Sequence, residues 1–271
     1  MTGFIGVDFS GGARPWRQAV SRPTVWLAKL EEKPGGIHLE DVIPVQQLAG
    51  NGTPFARLIK LLSEGQFEAA TIDAPFSLPS RHLPPGGHAA LLRLVSSLPN
   101  APDRDFPLGL DIVRLGQTVA DKESDKPLRK TERYWARRGV NTRSTMWSGS
   151  RGGAPFAAAC LRLLELSGRP IWPWDQLQPG ILGEAFPAAQ LRQWDLPYRA
   201  YSRPDQVENR KKIIIGLKER ASINPADEPK LLDSADALDA VVAAFAAIAI
   251  ANGNVPNFTE AGEEGFIAVA E

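Results

Sequence analysis

The order of short apolar segments at the start of the chain constrains its fold more than any other feature. Residues 3–9 form an almost continuous apolar strand pattern that contains Asp8. Residues 24–31 and 37–45 are two further strand patterns, separated at residues 33–36 by the turn sequence Lys-Pro-Gly-Gly. These segments predict a three-strand antiparallel meander.

The pattern then changes from strand to helix and back. Residues 54–63 carry apolar side chains at helical spacing, and residues 69–73 form a fourth strand pattern that ends at Asp73. The chain therefore begins β-β-β-α-β. We expect an α/β fold with a mixed sheet, in which parallel strands follow the meander and helices cover both faces.

Residues 78–155 interrupt this alternation with proline-rich and glycine-rich patches. We interpret them as an insertion that is largely helical, with helices near residues 89–97 and 116–138, because a structureless loop of this length would be unusual. The remaining patterns are helices at 156–167, 206–220 and 234–251 and strands at 181–184 and 265–269. We expect residues 1–271 to form a single domain that contains the insertion.

Composition restricts the partners and the location. The 31 basic and 31 acidic residues cancel, so a nucleic-acid partner would need a local concentration of positive charge. Cys160 is the only cysteine, which excludes an internal disulfide, and its apolar surroundings predict a core position. The longest uncharged apolar run, residues 240–251, is well short of the ~20 residues that cross a bilayer. Without a secretory signal pattern, we expect a cytoplasmic protein with no membrane partner.

Three acidic residues end apolar strand patterns: Asp8, Asp73 and Glu184. Burial raises the pKa of a carboxyl group unless a cation compensates, so each is a candidate metal ligand or catalytic group. Strands of an open sheet tend to present such groups at shared ends, which can bring the acids together. Each also has a structural explanation, because Asp8 can start a turn and Glu184 can end its strand before a proline-led helix.

Three aspartates recur at a spacing of three residues near the start of a predicted apolar helix. Asp233 is explained as its N-cap, and Asp236 by the positive end of the helix. Asp239 lies further in, where the following turns are apolar all round and a lone carboxylate would be costly. A divalent cation would remove that cost.

Clustered carboxylates indicate a Mg²⁺ or Mn²⁺ site, because these hard cations bind carboxylate oxygens and keep water molecules for chemistry. In two-metal phosphodiester cleavage one ion activates water and the other stabilises the leaving oxygen. We predict four aspartates as metal ligands and Glu184 as a further ligand or base. The predicted catalytic acids are Asp8, Asp73, Glu184, Asp236 and Asp239.

Five short segments resemble the family called domain of unknown function 429. They are IGVDFSG at residues 5–11, IDAPF at 72–76, EAFP at 184–187, DALDA at 236–240 and EGFI at 264–267. Members of that family are regarded as RNase H-like nucleases akin to the Holliday-junction resolvase group. The resemblance implies an RNase H-like fold, with which the β-β-β-α-β beginning agrees, and a nuclease activity.

A basic segment between residues 126 and 151 is the predicted nucleic-acid contact. Its cationic side chains alternate with Tyr134, Trp135 and Trp147, as on a surface that binds phosphates and stacks on bases. A solvated helix face with a packed tryptophan explains the segment equally well. The predicted contact residues are Arg129, Lys130, Arg133, Arg137, Arg138 and Arg143.

Three functions fit these observations. The first is a metal-dependent phosphodiesterase that acts on DNA or RNA, and the second is a non-catalytic nucleic-acid-binding module of the same fold. The third is a phosphotransferase of the actin and sugar-kinase superfamily, which also opens with a strand-end aspartate. That class needs a second copy of the fold, and residues 6–8 (Gly-Val-Asp) have no second counterpart. The sequence is compatible with a homodimer.

Overall fold

A six-stranded sheet forms the centre of the computed structural model, which describes residues 2–120, 126–256 and 262–271. In chain order the strands are β1 (Thr2–Asp8), β2 (Trp26–Lys33), β3 (Gly36–Pro44), β4 (Ala69–Ile72), β5 (Ile181–Ala185) and β6 (Ile267–Ala268). They lie side by side in the order β3-β2-β1-β4-β5-β6. β1 to β3 form an antiparallel meander, and β1, β4, β5 and β6 are parallel neighbours. The predicted mixed sheet is therefore confirmed.

The helices of the described residues cover both faces of this sheet. They are α1 (Pro54–Glu64), α2 (Gly87–Ser96), α3 (Gly109–Gln117), α4 (Lys130–Arg137), α5 (Ala154–Ser167), α6 (Pro187–Gln193), α7 (Val207–Lys218), α8 (Glu228–Asp233) and α9 (Ala235–Ala251). Successive side chains of a strand point to opposite faces. Ile5 and Val7 of β1 accordingly join the core formed with α1, α2, α3 and α5, whereas Phe4 joins the core formed with α7 and α9.

Local sequence explains why these elements form. Gly35 and Gly36 join β2 to β3 with φ angles of 104° and 126°, which side chains other than glycine rarely adopt. Thr53 caps α1, because its hydroxyl accepts the backbone N–H of Ala56 at 3.1 Å. Pro54 then fits the first position of the helix, where its missing N–H costs nothing.

Helix α9 lies directly on the sheet because small residues allow the backbones to approach. A Cβ atom at Gly6 would lie 2.1 Å from the carbonyl oxygen of Ala240 and 2.3 Å from the nitrogen of Ala244. On β4, the hydroxyl of Thr71 donates to the carbonyl oxygen of Ala243 at 2.6 Å. Any residue larger than glycine at position 6 would therefore push α9 away from β1.

Residues 78–155 differ from the predicted insertion. Helices α2 and α3 pack against α5 and contribute to the core of the sheet, so the segment is not a separate appendage. The predicted helix at residues 116–138 is wrong, since α3 ends at Gln117 and α4 begins at Lys130. Pro127 cannot continue a helix because it lacks an N–H and clashes with the preceding turn. Residues 121–125 lie outside the described residues. The other described residues of the segment lie in turns, bends and irregular backbone, so it is less helical than predicted.

Two expectations from composition are confirmed within the described ranges. Cys160 is a free thiol that is fully buried in α5. In those ranges no helix is both long enough and apolar enough to cross a membrane.

Candidate active site

All five predicted acids line one cavity of about 530 Å³ at the carboxyl ends of the central strands. Asp8 is the last residue of β1, Asp73 directly follows β4 and Glu184 lies near the end of β5. Asp236 and Asp239 reach the same cavity from the first turns of α9. Residues that are scattered over most of the sequence thus meet at one end of the sheet.

The parallel pairing of β1 and β4 brings Asp8 and Asp73 next to each other. Val7 is paired with Ile72, and the backbone N–H of Asp73 donates to the carbonyl oxygen of Val7 at 2.9 Å. The two aspartates therefore follow paired positions on adjacent strands. Asp8 is nearly buried, with 8% of its surface exposed.

The start of α9 supplies the other two aspartates. Ser234 is the N-cap, because its hydroxyl accepts the backbone N–H of Ala237 at 3.1 Å. The predicted cap, Asp233, is instead the exposed last residue of α8, so that assignment is wrong. Asp239 lies one turn into α9, and the Tyr201 hydroxyl donates to its Oδ1 atom at 2.9 Å.

The four aspartates share one electrostatic property, since burial raises the pKa of each carboxyl group. Burial, followed by repulsion from neighbouring aspartates, raises the pKa of Asp8 and Asp239 well above the ordinary value. Burial raises the pKa of Asp73 to about 7, although Arg143 opposes this shift. Burial also raises the pKa of Asp236, against the influence of Arg22. A cation in the cavity would lower these pKa values, because a nearby positive charge favours the charged carboxylate.

Glu184 differs from the aspartates because it has a counter-ion. Arg129 donates through Nη1 to Oε2 at 2.7 Å and through Nη2 to Oε1 at 2.5 Å, and the backbone N–H of Phe76 donates to Oε2 at 3.0 Å. The ion pair is almost fully buried, since the two side chains are 1% and 4% exposed. Both carboxylate oxygens of Glu184 are thus already hydrogen-bonded within the protein.

Arg129 is buried, although it is predicted to contact nucleic acid. Its Nε atom donates to Glu132 at 2.9 Å, in addition to the pair with Glu184. Burial alone would lower the pKa of Arg129, but the two carboxylates outweigh it and the pKa is raised. Its role as a phosphate contact stays a prediction: Arg129 lines the acidic cavity, but its guanidinium is already paired with two protein carboxylates.

The other predicted basic residues are exposed, and Arg143 also lines the acidic cavity. Lys130, Arg133 and Arg137 lie on α4, and Arg138 follows it. Of the predicted stacking residues, Trp135 is buried at 1% exposure, whereas Trp147 is 37% exposed. Trp135 is thus unavailable to a base.

Three residues in the loop after α6 also line the cavity and were not predicted from the sequence. Tyr198, Arg199 and Tyr201 all line the cavity, and Ala200 between them has a φ of 55°, which is uncommon for a residue with a Cβ atom. Tyr201 is buried, and its pKa is raised by burial and by the adjacent carboxylate of Asp239. The sequence Tyr-Arg-Ala-Tyr at residues 198–201, in which tyrosines flank an arginine, is the pattern that could have indicated these residues.

A family model described as "Protein of unknown function (DUF429)" matches residues 6–263. The chain belongs to this family. No curated protein and no solved structure gives a significant match. The part of this DUF429 protein that matches includes all five cavity acids and the whole basic segment.

The donor set of this DUF429 protein suits a hard divalent cation. Aspartate oxygens are the ligands that Mg²⁺ and Mn²⁺ prefer. Over the described residues, no group of three or more His, Cys, Asp or Glu side chains is already arranged around a common metal position. Mg²⁺ does not require such a cage, because it usually keeps several waters and binds through one or two carboxylates. Asp8, Asp73 and Asp239, with their raised pKa values, are the residues that fit this role.

Proposed function

We propose that this DUF429 protein is a metal-dependent phosphodiesterase that cleaves nucleic acid and that its fold is RNase H-like. One observation carries the proposal: four aspartates share a cavity at the carboxyl ends of adjacent strands, where burial raises the pKa of each. Such a site is suited to divalent cations, which phosphodiester cleavage commonly uses. The resemblance of the motifs around Asp8, Asp73 and Asp239 to predicted nucleases points to the same reaction.

The sheet order supports the fold assignment. An antiparallel meander whose first strand is followed by parallel strands is the arrangement expected from the β-β-β-α-β beginning. In the proposed fold the first and fourth strands end in acids and a late helix adds more. β1, β4 and α9 of this chain follow that plan.

We assign the metal to Asp8, Asp73 and Asp239, with Asp236 at the edge of the set. Bound there, a divalent cation would activate water and stabilise the leaving oxygen of a phosphodiester. We place Glu184 outside the metal set, because both of its carboxylate oxygens are already held by Arg129. Its proposed role is to hold Arg129 and the adjoining wall of the cavity.

Other residues of the chain would orient the reactants. Arg143 is exposed at the cavity and acts electrostatically on Asp73, so it is placed to hold a phosphate close to the aspartates. Tyr201 fixes Oδ1 of Asp239 through a hydrogen bond, which leaves the second oxygen of that carboxylate to face a cation. Tyr201 is thus a positioning residue in this proposal.

The test is cleavage of labelled single-stranded, duplex and branched DNA and RNA with Mg²⁺ or Mn²⁺, and with EDTA as the metal-free control. Asp8→Asn and Asp73→Asn are expected to reduce the rate by more than ~100-fold, the upper end of what loss of a metal's outer-shell partner costs. Asp233→Asn is the matched control, since Asp233 is exposed and does not line the cavity. It should retain the parental rate.

Three results would contradict the proposal in different ways. Metal-dependent binding without cleavage of any substrate would favour the non-catalytic binding module. Absence of both binding and cleavage at low salt would remove nucleic acid as the partner. Equal rates for Asp8→Asn, Asp73→Asn and the parent would show that cleavage comes from elsewhere.

A further inference from the structure

A second cavity adjoins the acidic one. Its volume is about 590 Å³, and it is lined by residues at and beyond the end of α4 and by part of the loop after α6. Asn141, Arg199 and Ala200 line both cavities. The two cavities are therefore neighbours, and we call them together the depression, with the aspartates at one end and Gly139 and Ala136 at the other.

Arg199 stands at the junction of the two cavities in a fixed position. Its guanidinium donates to the carbonyl oxygen of Gly139 and packs over the ring of Tyr198, with 5.2 Å between the guanidinium carbon and the ring centroid. Gly139 adopts a φ of 85°, and a Cβ atom there would approach Arg199 Nη2 to 3.3 Å. A guanidinium has five N–H donors, so the contact with Gly139 orients the group and leaves donors for a ligand.

The charge of the depression changes along its length. The aspartates dominate one end, where Arg129 is already paired with Glu184 and Glu132. Over the described residues, neither Arg143 nor Arg199 forms a salt bridge, and Arg199 is the arginine that reaches into the second cavity. Once divalent cations neutralise the aspartates, these two arginines would make the depression attractive to anions.

We propose that Arg199 and Asn141 form a second phosphate-binding position, so that the site takes a nucleic-acid strand and not a mononucleotide. This inference rests on the proposed function, because the first phosphate is the one held at the aspartates. A strand that enters the acidic cavity would continue past Asn141 and Arg199 towards the end of α4. The guanidinium of Arg199 would hold its next phosphate there, as an electrostatic contact independent of base sequence.

The chain contains a matched control for Arg199. Arg192 is also exposed and also packs over the ring of Tyr198, at 5.4 Å, but it lines neither cavity. Arg199→Gln and Arg192→Gln thus remove the same charge and a similar ring contact. Only Arg199→Gln removes a group from the depression.

The measurement is binding of a short labelled single-stranded oligonucleotide over a salt series, with Ca²⁺ added as a hard cation for the aspartates. Arg199→Gln is expected to weaken binding several-fold at low salt. It should also reduce the slope of log K against log salt by about 0.7–0.9, the change for one lost phosphate contact. Arg192→Gln should leave the affinity and the salt slope unchanged. Arg199→Lys should restore most of the slope. A mononucleotide competitor should bind the parent and Arg199→Gln equally.

Each result is decisive for the second phosphate position. Equal slopes for Arg199→Gln and Arg192→Gln would overturn it and leave the proposed cleavage intact, whereas absence of binding by the parent would overturn both. If Arg199→Gln melts at a lower temperature than the parent, Asn141→Asp replaces it, because Asn141 is exposed at the same junction. Parental affinity and slope in a folded Asn141→Asp protein would likewise overturn the position.

Discussion

Replacement of Glu184 by Gln separates a structural role for this residue from a role in metal binding. The side chain keeps its size but loses its charge. Arg129 then keeps Glu132 as a partner at 2.9 Å and loses the carboxylate that meets its two Nη atoms. The new amide group would also present N–H donors to a guanidinium and to the N–H of Phe76, which are themselves donors.

The expected cost follows from the burial of the pair. Removal of one partner from a buried ion pair typically costs about 3–5 kcal/mol, because the other charge is left uncompensated. We expect about 3 kcal/mol here, since Glu132 still balances part of the charge of Arg129. At roughly 2–4 °C per kcal/mol for a protein of this size, the melting temperature should fall by on the order of 6–12 °C.

The assay is urea denaturation with EDTA and again with Mn²⁺. Glu184→Gln should lower the free energy of unfolding in EDTA, yet gain the same increment as the parent when Mn²⁺ is added. Asp73→Asn should lose most of that increment. Glu263→Gln is the control for charge removal, because Glu263 is exposed and such a change is usually worth less than ~0.5 kcal/mol.

The opposite pattern would refute this reasoning. If Glu184→Gln unfolds like the parent in EDTA but no longer responds to Mn²⁺, Glu184 is a metal ligand and its pairing with Arg129 contributes little. A parent that does not respond to Mn²⁺ at all would instead contradict the metal site.

Three further outcomes are expected. Without divalent cations, Asp73→Asn should match the parent in stability near pH 4 and exceed it increasingly up to about pH 7, because the pKa of Asp73 is raised from 3.8 to about 7 and the unfolded chain loses this proton first. Asp239→Asn should reduce metal-dependent cleavage at least ~10-fold more than Asp233→Asn, since only Asp239 lines the cavity. Gly6→Ala should lower the free energy of unfolding, measured with urea, by about 3 kcal/mol, because the new methyl group would meet backbone atoms of α9. This value is the upper end of the usual range for overpacking.

Each of these outcomes has a contrary result. A constant stability difference between Asp73→Asn and the parent across this pH range would mean that Asp73 titrates normally. Equal losses of cleavage in the folded Asp239→Asn and Asp233→Asn proteins would place Asp239 outside the site. Gly3→Ala is the control for Gly6→Ala, because its methyl group would meet Lys29 Cε at an ordinary 3.5 Å. If Gly6→Ala and Gly3→Ala lower the free energy of unfolding by similar amounts, the backbone of α9 does not restrict the space at Gly6.

Local patterns in the sequence predicted the sheet well. The apolar run at residues 3–9, the turn glycines and the helical spacing of residues 54–63 each act within a few residues, and the structure has an element at each position. The meeting of Asp8, Asp73 and Asp239 was also predictable, because strand ends and helix starts restrict where an acidic side chain can be.

Features that depend on distant partners were not predictable in the same way. Arg129 lies in a basic run and was therefore interpreted as a surface residue, but Glu184, which draws it inside, is 55 residues away in sequence. Tyr201 was missed because its partner Asp239 is 38 residues away. The predicted helix at residues 116–138 is wrong for a local reason, because Pro127 lies within it and cannot continue a helix.

The contact between Gly6 and α9 has a consequence for how the protein is made. Strand β1 comes from the start of the sequence and α9 from near its end, so the aspartate cavity depends on a contact that spans most of the chain. Contacts of such long range form late, because the intervening loop must be closed first. During synthesis, a chain that has not yet reached residue 239 would have Asp8 and Asp73 but no wall of α9 opposite them. The cavity would therefore be absent from unfinished chains and would appear only when the two distant segments have met.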